Sequence, residues 1–438
     1  MCLRHEMKEI VKMMSVLAIL SLLILLPAGE GGKIFDVYDD SSKWTKTFGG
    51  SGTDFCLSVE QTTDGGYVLA GYTYSYGAGK SDVWLVKTDE YGNEEWNRTF
   101  GGGGYDSASS VEQTSDGGYI ITGYKGSYAA GEEDIWLIKT DSIGNEIWNR
   151  TFGNESGDQG YSGKQTPDGG YILTGWLGGN ICLIKTSPTG EMEWNKTFEK
   201  VLEYGGAAYS LDLIDDDNDG VADDGYIITG SGYPYHGAGR SDVILLKTDE
   251  YGNLEWNQSF GGGYHDEGWA VQQTTDGGYA IAGNTGFSWR DPRNHSSDIW
   301  LIKTDSQGNM EWNKTFGGKK WDEGYSLQQT IDGGYIITGY TKSKGLGIFS
   351  DIWLIKTDSQ GNMEWNREFG GWESEIAFSV EQTTDGGYIV AGGTYSYGAG
   401  GLDAWLIKTN SNGRSTGLKW VQLMSNHLYI FGREILPL

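Results

Sequence analysis

Proline is scarce in this chain, with 6 copies among 438 residues against 71 glycines. Glycine at that level without a G-x-y period excludes collagen and points to many tight turns joining short strands. Cysteine is scarce too, with three copies. Cys2 lies in the leader, and Cys56 and Cys182 fall at different positions of a repeated motif. No disulfide and no thiol metal site is expected from them. Positive charge is short: 32 Lys and Arg face 60 Asp and Glu, a net charge of −28. Such a surface repels phosphate backbones and anionic lipid, so no nucleic-acid partner is expected. It suits solubility and cation binding outside a cell. After the leader no segment has helical periodicity or caps. Nucleophile elbow, H-E-x-x-H and phosphate loop are all missing, and the five histidines are scattered.

What is present begins with the leader. Lys8 and Lys12 precede an apolar run from Met13 to Leu26, followed by Pro27-Ala28-Gly29. This reads as a secretory signal over residues 1–29, cleaved near Glu30 or kept as an anchor. The run is short for a spanning helix, which needs about 20 apolar residues. Any membrane contact is therefore expected through this segment alone, and the location is extracellular or cell-surface. Residues 30–42 form a linker.

The rest is repetition. Asp-Gly-Gly before Tyr recurs at Asp64, Asp116, Asp168, Asp276, Asp332 and Asp385, with a variant at Asp224 lacking one glycine. The tyrosines that follow, from Tyr67 to Tyr388, are 52, 52, 55, 53, 56 and 53 residues apart. Each unit reads as four strands, a to d. In the sixth, 325–330 is a, YIITGYT is b, DIWLIKT is c and EWNREF is d. Val, Ile, Thr, Tyr and Trp dominate them. Four short strands every 50 or so residues predict an all-β, seven-bladed β-propeller over 43–413. Six strand-d tryptophans run from Trp96 to Trp365. The seventh, Trp44, precedes any strand a, so the N-terminal strand is expected to close the last blade. Residues 414–438 form a tail with no assigned role, and the chain is expected to be a monomer.

F-G-G-x-x-x-D (Phe48 to Asp54), D-G-G-Y-x-x-x-G-x-T (Asp64 to Thr73) and D-x-W-L-x-K-T-D-x-x-G-N-x-x-W (Asp82 to Trp96) resemble the tandem β-propeller repeats of secreted bacterial and archaeal proteins. The resemblance implies the fold and little about activity. The run Asp305, Gly308, Trp312 also resembles the docking motif of quinoprotein propellers, one residue short.

The most specific local motif is an insertion in repeat 4, Asp215-Asp216-Asp217-Asn218-Asp219-Gly220-Val221-Ala222-Asp223. Alternate carboxylates converge on a hard cation, and Gly220 permits the bend. The loop resembles the calcium hairpins of integrin-α propellers. Calcium is expected there, held by the side chains of Asp215, Asp217, Asp219 and Asp223 and the Val221 carbonyl. The alternative is a solvated acidic loop.

Two further acidic sets start strands. Asp54, Asp106, Asp158, Asp266, Asp322 and Glu375 open strand a, and Asp82, Asp134, Asp242, Asp298, Asp351 and Asp403 open strand c. They form either a ring for cationic groups or acceptors for turn N–H groups. Loops on that face differ most between repeats. They carry Trp289, Arg290, Arg293, His295, Tyr235 and Trp321, with Tyr74, Tyr76, Tyr233, Trp269 and Trp372 on the same face. Aromatics beside carboxylates and arginine suit a polysaccharide or protein ligand. Seven N-x-[ST] sequons, five of them in strand d, permit a glycoprotein or simply reflect the repeat. The reading is a non-catalytic binding or structural module. The alternatives are a glycosidase or lyase using carboxylates on that face and, more distantly, a quinoprotein-like oxidoreductase.

Overall fold

In the computed structural model, residues 43–126, 133–154, 156–199, 201–217, 219–234, 241–287, 296–344 and 349–415 are described. The leader, the linker and the tail beyond 415 lie outside them. Each repeat makes one antiparallel sheet. In the first, β2 (Asp54–Gln61), β3 (Tyr67–Thr73), β4 (Asp82–Thr88) and β5 (Glu94–Phe100) lie in chain order as strands a, b, c and d. Five further sheets repeat this order. The last contains β26 (Glu375–Gln382), β27 (Tyr388–Thr394) and β28 (Asp403–Thr409), with β1 (Trp44–Phe48) as its strand d. Trp44 pairs with Lys408 and Phe48 with Ala404. The molecule is a seven-bladed β-propeller closed by its N-terminal strand, and the described residues contain no helix.

The repeat motifs interlock between blades. Each strand-d tryptophan packs on the strand-b tyrosine of the next blade: Trp44 on Tyr67 at 5.7 Å, Trp96 on Tyr119 at 5.8 Å, and so on to Trp365 on Tyr388 at 5.7 Å. The same tryptophan covers the c–d turn of that neighbour. Gly92 has φ +71°, and a Cβ there would lie 2.4 Å from the Trp44 ring. Trp, Gly and Tyr, far apart in the repeat, are thus one contact.

Strands b and c are buried on both faces, whereas strand d is largely half-exposed or exposed. A lysine ends strand c almost completely buried. In blade 1 Lys87 pairs with Asp64 at 2.8 Å and Glu95 at 3.0 Å, and donates to the Thr88 carbonyl. This ties the a–b turn to strand d. The second glycine of Asp-Gly-Gly allows the approach, since a Cβ on Gly66 would meet the Thr88 oxygen at 2.1 Å.

Strands a surround the axis. Ser58 Oγ accepts from Val111 N, Ser110 from Gly163 N, Ser162 from Leu211 N, Ser210 from Val271 N and Ser326 from Val380 N. Ser379 accepts from Val59 N and joins the last blade to the first. The circle is interrupted once, where Ala270 replaces serine.

Candidate functional site

Most of the strand-start carboxylates are buried acceptors, while Asp134, Asp298 and Asp351 are half-buried. Asp106 is fully buried and takes the N–H groups of Gly102 at 2.9 Å and Gly126 at 3.0 Å. Asp54 takes those of Gly50 and Ser75 and the hydroxyls of Thr73 and Ser75. Asp82 accepts from Ala78 N at 2.7 Å, and Asp403 from Gly400 N at 3.0 Å. Of the two sequence readings, the turn-acceptor role is the one seen. Each strand-c acid also faces the strand-a acid of the next blade. Burial raises the Asp82, Asp134 and Asp298 carboxyls, and Asp106, Asp158 and Asp322 add to it. Burial, then Glu375 and Glu368, pushes Asp351 up to about 7. Blade 6 deviates: Gly318 N turns to Asp298, and Asp322 Oδ2 is left buried without a hydrogen-bond partner.

On the opposite face, the repeat-4 hairpin gathers Asp215, Asp217 and Asp224, each with a carboxylate oxygen within 4.8 Å of the others. Asp219 and Asp223 are not in that group. Asp219 Oδ1 accepts from Val221 N at 2.8 Å, and Asp223 is exposed. Desolvation first, then Asp219, Asp224 and Asp217, raises the Asp223 carboxyl. The repeat alignment puts Asp224 at the Asp-Gly-Gly position, but Asp216 holds the strand-c lysine, pairing with Lys247 at 2.9 Å. Asp224 is freed to accept from Asp216 N and Asp217 N. Asp215 Oδ2 accepts from Gly220 N, while its Oδ1 is buried with no partner. A carboxylate oxygen lacking a donor and aligned with two more acids fits a hard cation.

The central channel holds a feature that consensus reading missed. Every strand a carries a β-bulge at the same position of the repeat. The bulged residues are Leu57, Ser109, Tyr161, Tyr209, Trp269, Tyr325 and Phe378. A bulge re-aims its side chain, and here five aromatics meet in an arc. Tyr161 meets Tyr209 at 5.2 Å, Tyr209 stacks on Trp269 at 4.1 Å, Trp269 meets Tyr325 at 5.1 Å, and Tyr325 stacks on Phe378 at 4.4 Å. Phe378 continues to Phe55, Tyr72, Tyr74 and Tyr105, the last two exposed. Tyr72 and Tyr74 line a shallow depression of about 490 Å³ with Ser51, Gly52, Thr53 and Gly401. Polar partners pin the arc. Tyr161 donates to Gln159 at 2.6 Å, Trp269 to Glu267 at 3.1 Å and Tyr325 to Glu323 at 2.5 Å, and Gln159 donates to Glu133. Burial, and after it Glu323, raises the Glu267 carboxyl.

Deeper along strand a a second ring varies between blades: Glu60, Glu112, Lys164, Asp212, Gln272, Gln328 and Glu381. Most accept an N–H from the next blade, as Glu60 does from Gln113. Lys164 pairs with Asp212 at 2.8 Å. Burial, with Glu112 and Glu381 adding, pushes Glu60 up to about 8.

Of the loop residues singled out from sequence, Tyr235, Trp289, Arg290, Arg293 and His295 lie outside the described residues. Trp321 is half-buried just before a strand a, its carbonyl accepting from Lys342 N at 2.8 Å. Tyr74, Tyr76, Tyr233 and Trp372 are exposed. Two of the five strand-d sequon asparagines bond a strand-c tryptophan: Trp136 Nε1 donates to Asn149 and Trp300 Nε1 to Asn313, both at 3.1 Å. Asn366, which is not in a sequon, makes the same bond with Trp353. In these three blades the asparagine has a structural use whether or not its sequence is a sequon. The quinoprotein-like run is a turn cap, with Asp305 accepting from Gln307 N and Asn309 N.

No family model matches the chain. An alignment 174 positions long, covering 35% of the chain, is 27% identical to regulatory protein FlaEY of Caulobacter vibrioides and covers 18% of it, so this chain spans less than a fifth of that protein. Among solved structures, a PL25 polysaccharide lyase, an ulvan lyase, aligns with a TM-score of 0.52 at 9% identity, over 86% of this chain and 98% of its own. The Neurospora crassa Pan2 WD40 domain aligns at 0.49 and 8% identity, over 86% and 98%. At such identity the likeness to the lyase shows a shared fold.

Proposed function

We propose that this chain is an extracellular or cell-surface, non-catalytic propeller that binds a polysaccharide or protein ligand on the face of the b–c loops, stabilised opposite by a calcium-binding hairpin. The observation that carries the binding reading is the unbroken chain of nine aromatic rings from exposed Tyr105 and Tyr74 to Tyr161 at the axis. Rigid aromatic surface beside fixed polar groups is what extended ligands use. Backbone donors hold several of the repeated carboxylates of that face, as they hold Asp106 and Asp82, which fits fixing turns better than acid–base work. Calcium is supported by the Asp215, Asp217 and Asp224 cluster and the donorless Asp215 oxygen.

One observation favours the enzymatic alternative: Glu267, raised by burial, lies beside Glu323 at the channel mouth. A glycan-array screen of the full chain, run beside a hydrolysis and elimination assay, separates the two. Retention without product, lost in Tyr74→Ala, is expected. Product release that stops in Glu267→Gln would make the chain an enzyme. Recovery of the chain only in the cytosol would end the extracellular part of the proposal.

A further inference from the structure

We infer that Tyr74 and Tyr395 are paired stacking platforms for an uncharged polysaccharide. This rests on the reading that ligand binds on the b–c loop face, and it names the class of ligand and the residues that hold it. The loops after β3 and β27 share the sequence Thr-Tyr-Ser-Tyr-Gly-Ala-Gly, at 73–79 and 394–400. They share their hydrogen bonds too. Thr73 Oγ1 accepts from Ser75 N at 3.0 Å and Tyr76 N at 3.2 Å, and Thr394 Oγ1 from Ser396 N at 3.0 Å and Tyr397 N at 3.3 Å. The second tyrosine of each loop is tied down. Tyr76 donates to the Gly49 carbonyl and Tyr397 to that of Gly370, both at 3.0 Å, and each packs on its strand-c tryptophan. The first tyrosine is displayed: Tyr74 is 47% exposed and Tyr395 49%, and among the described residues neither hydroxyl has a hydrogen-bond partner.

Blade 6 shows that the loop does not require these tyrosines. Thr341 Oγ1 accepts from Ser343 N at 3.1 Å and Lys344 N at 3.2 Å, the same turn with Lys342 and Lys344 at the two tyrosine positions. Lys344 lies over Trp353 as Tyr76 lies on Trp84. Exposed rings that the fold can replace, set in two neighbouring blades, mark a contact surface. The surroundings select what it contacts. Tyr74 crosses Tyr72 and Tyr105 at 83° and 62° rather than stacking on them, and Tyr395 has no ring neighbour among the described residues. Each therefore keeps aromatic surface for a pyranose. Burial, with Tyr74, Tyr124 and Tyr395 adding, pushes the Tyr72 hydroxyl up to about 12, so both platforms stand around one residue of the depression. None of the six residues lining that depression is charged, in a chain of net charge −28. An anionic polymer is repelled by the molecule as a whole, and a cationic one finds no carboxylate in the lining. A neutral polymer rich in hydroxyl groups matches the free tyrosine hydroxyls and the side chains of Ser51 and Thr53. The loops are already fixed by their own bonds, so little order is lost on binding.

The test is affinity electrophoresis of the full chain through gels holding hydroxyethylcellulose, galactomannan, arabinoxylan or dextran, beside gels holding polygalacturonate or alginate. Retardation by at least one neutral polymer and by neither anionic one is expected. Tyr74→Ala and Tyr395→Ala should each weaken it about tenfold, and the two together should abolish it. Tyr91→Ala with Tyr251→Ala, exposed tyrosines on c–d turns of the opposite face, should leave it unchanged. Tyr74→Lys with Tyr395→Lys installs the residue that blade 6 carries there, so that variant should melt with the natural chain and still lose retardation. It decides the matter should the alanine variants fail to fold. Retardation by the anionic polymers alone, lost in Tyr74→Ala, keeps the face assignment and overturns the neutral class. A loss in Tyr74→Ala but not in Tyr395→Ala also keeps the face and overturns the pairing. No retardation in any neutral gel, retardation indifferent to both tyrosines, or an equal loss in the control pair overturns the inference, and leaves a protein ligand as the occupant of the face.

Discussion

Two sets of carboxylates occupy the opposite ends of the strands a. At one end, acids such as Asp54 and Asp106 recur in nearly every blade, are buried, and accept two or more hydrogen bonds each. At the other end the blade-4 hairpin crowds acids that occur once, are mostly exposed, and include an oxygen with no donor. The recurring set, the Asp322 Oδ2 apart, has its charge answered by the backbone and by nearby hydroxyls, so its work is to fix turns. The single set has charge left over, so its work calls for something from outside. Whether an acid is answered separates the two sets better than its abundance does.

The sharpest way to break this contrast is to remove one acid of each kind. Asp106→Ala removes the acceptor of the Gly102 N–H and leaves the Gly126 N–H only the Tyr105 carbonyl, and should cost about 2 kcal/mol in denaturant unfolding. Asp219→Ala, measured in chelator, should unfold with the natural chain. Equal losses would erase the distinction. Calcium sharpens it next. Binding to the folded hairpin should raise the melting temperature by roughly 3 °C over the chelated protein. Asp217→Ala and Asp224→Ala should abolish the rise, and Asp351→Ala should keep it. A rise that survives Asp224→Ala but not Asp223→Ala would restore the ligand set read from sequence. Lys356→Met tests the pairing that ties both ends together. It leaves Asp332 and Glu364 in solvent and one buried carbonyl without its donor, for a loss of about 1–2 kcal/mol.

The smallest effect is in pH. Asp351, pushed up to about 7, binds its proton more tightly folded than unfolded. The stability from that proton is complete in acid and is lost as pH rises from the ordinary carboxylate range toward 7. Asp351→Asn should flatten that part of the stability profile, read from melting temperatures across the range. A profile as steep as that of the natural chain would place the proton elsewhere.

The blades, their order and the closure by Trp44 were legible because repetition multiplies weak signals. Seven tyrosines at near-constant spacing leave little freedom. The Lys356 pairing was not legible, since it crosses two turns, and neither was the exchange of Asp216 for Asp224, which needs the hairpin's real path. The aromatic arc was missed for a different reason. It occupies a strand-a position where repeats disagree, from Ser109 to Trp269, and a consensus discards disagreement. A signal was there nonetheless: variation at one position between constant neighbours, always on the innermost strand.

Closure by β1 also decides how the molecule bears load. Ser415 Oγ donates to the Trp44 carbonyl at 3.1 Å, so the two ends of the ring leave it side by side. A pull applied through the flanking segments enters and exits through one sheet. Five residue pairs between β1 and β28 take the whole force, and the other six blades feel none of it until that strand peels away. The ring is then a buckle: slack everywhere except at its clasp, and mechanically as strong as its shortest strand.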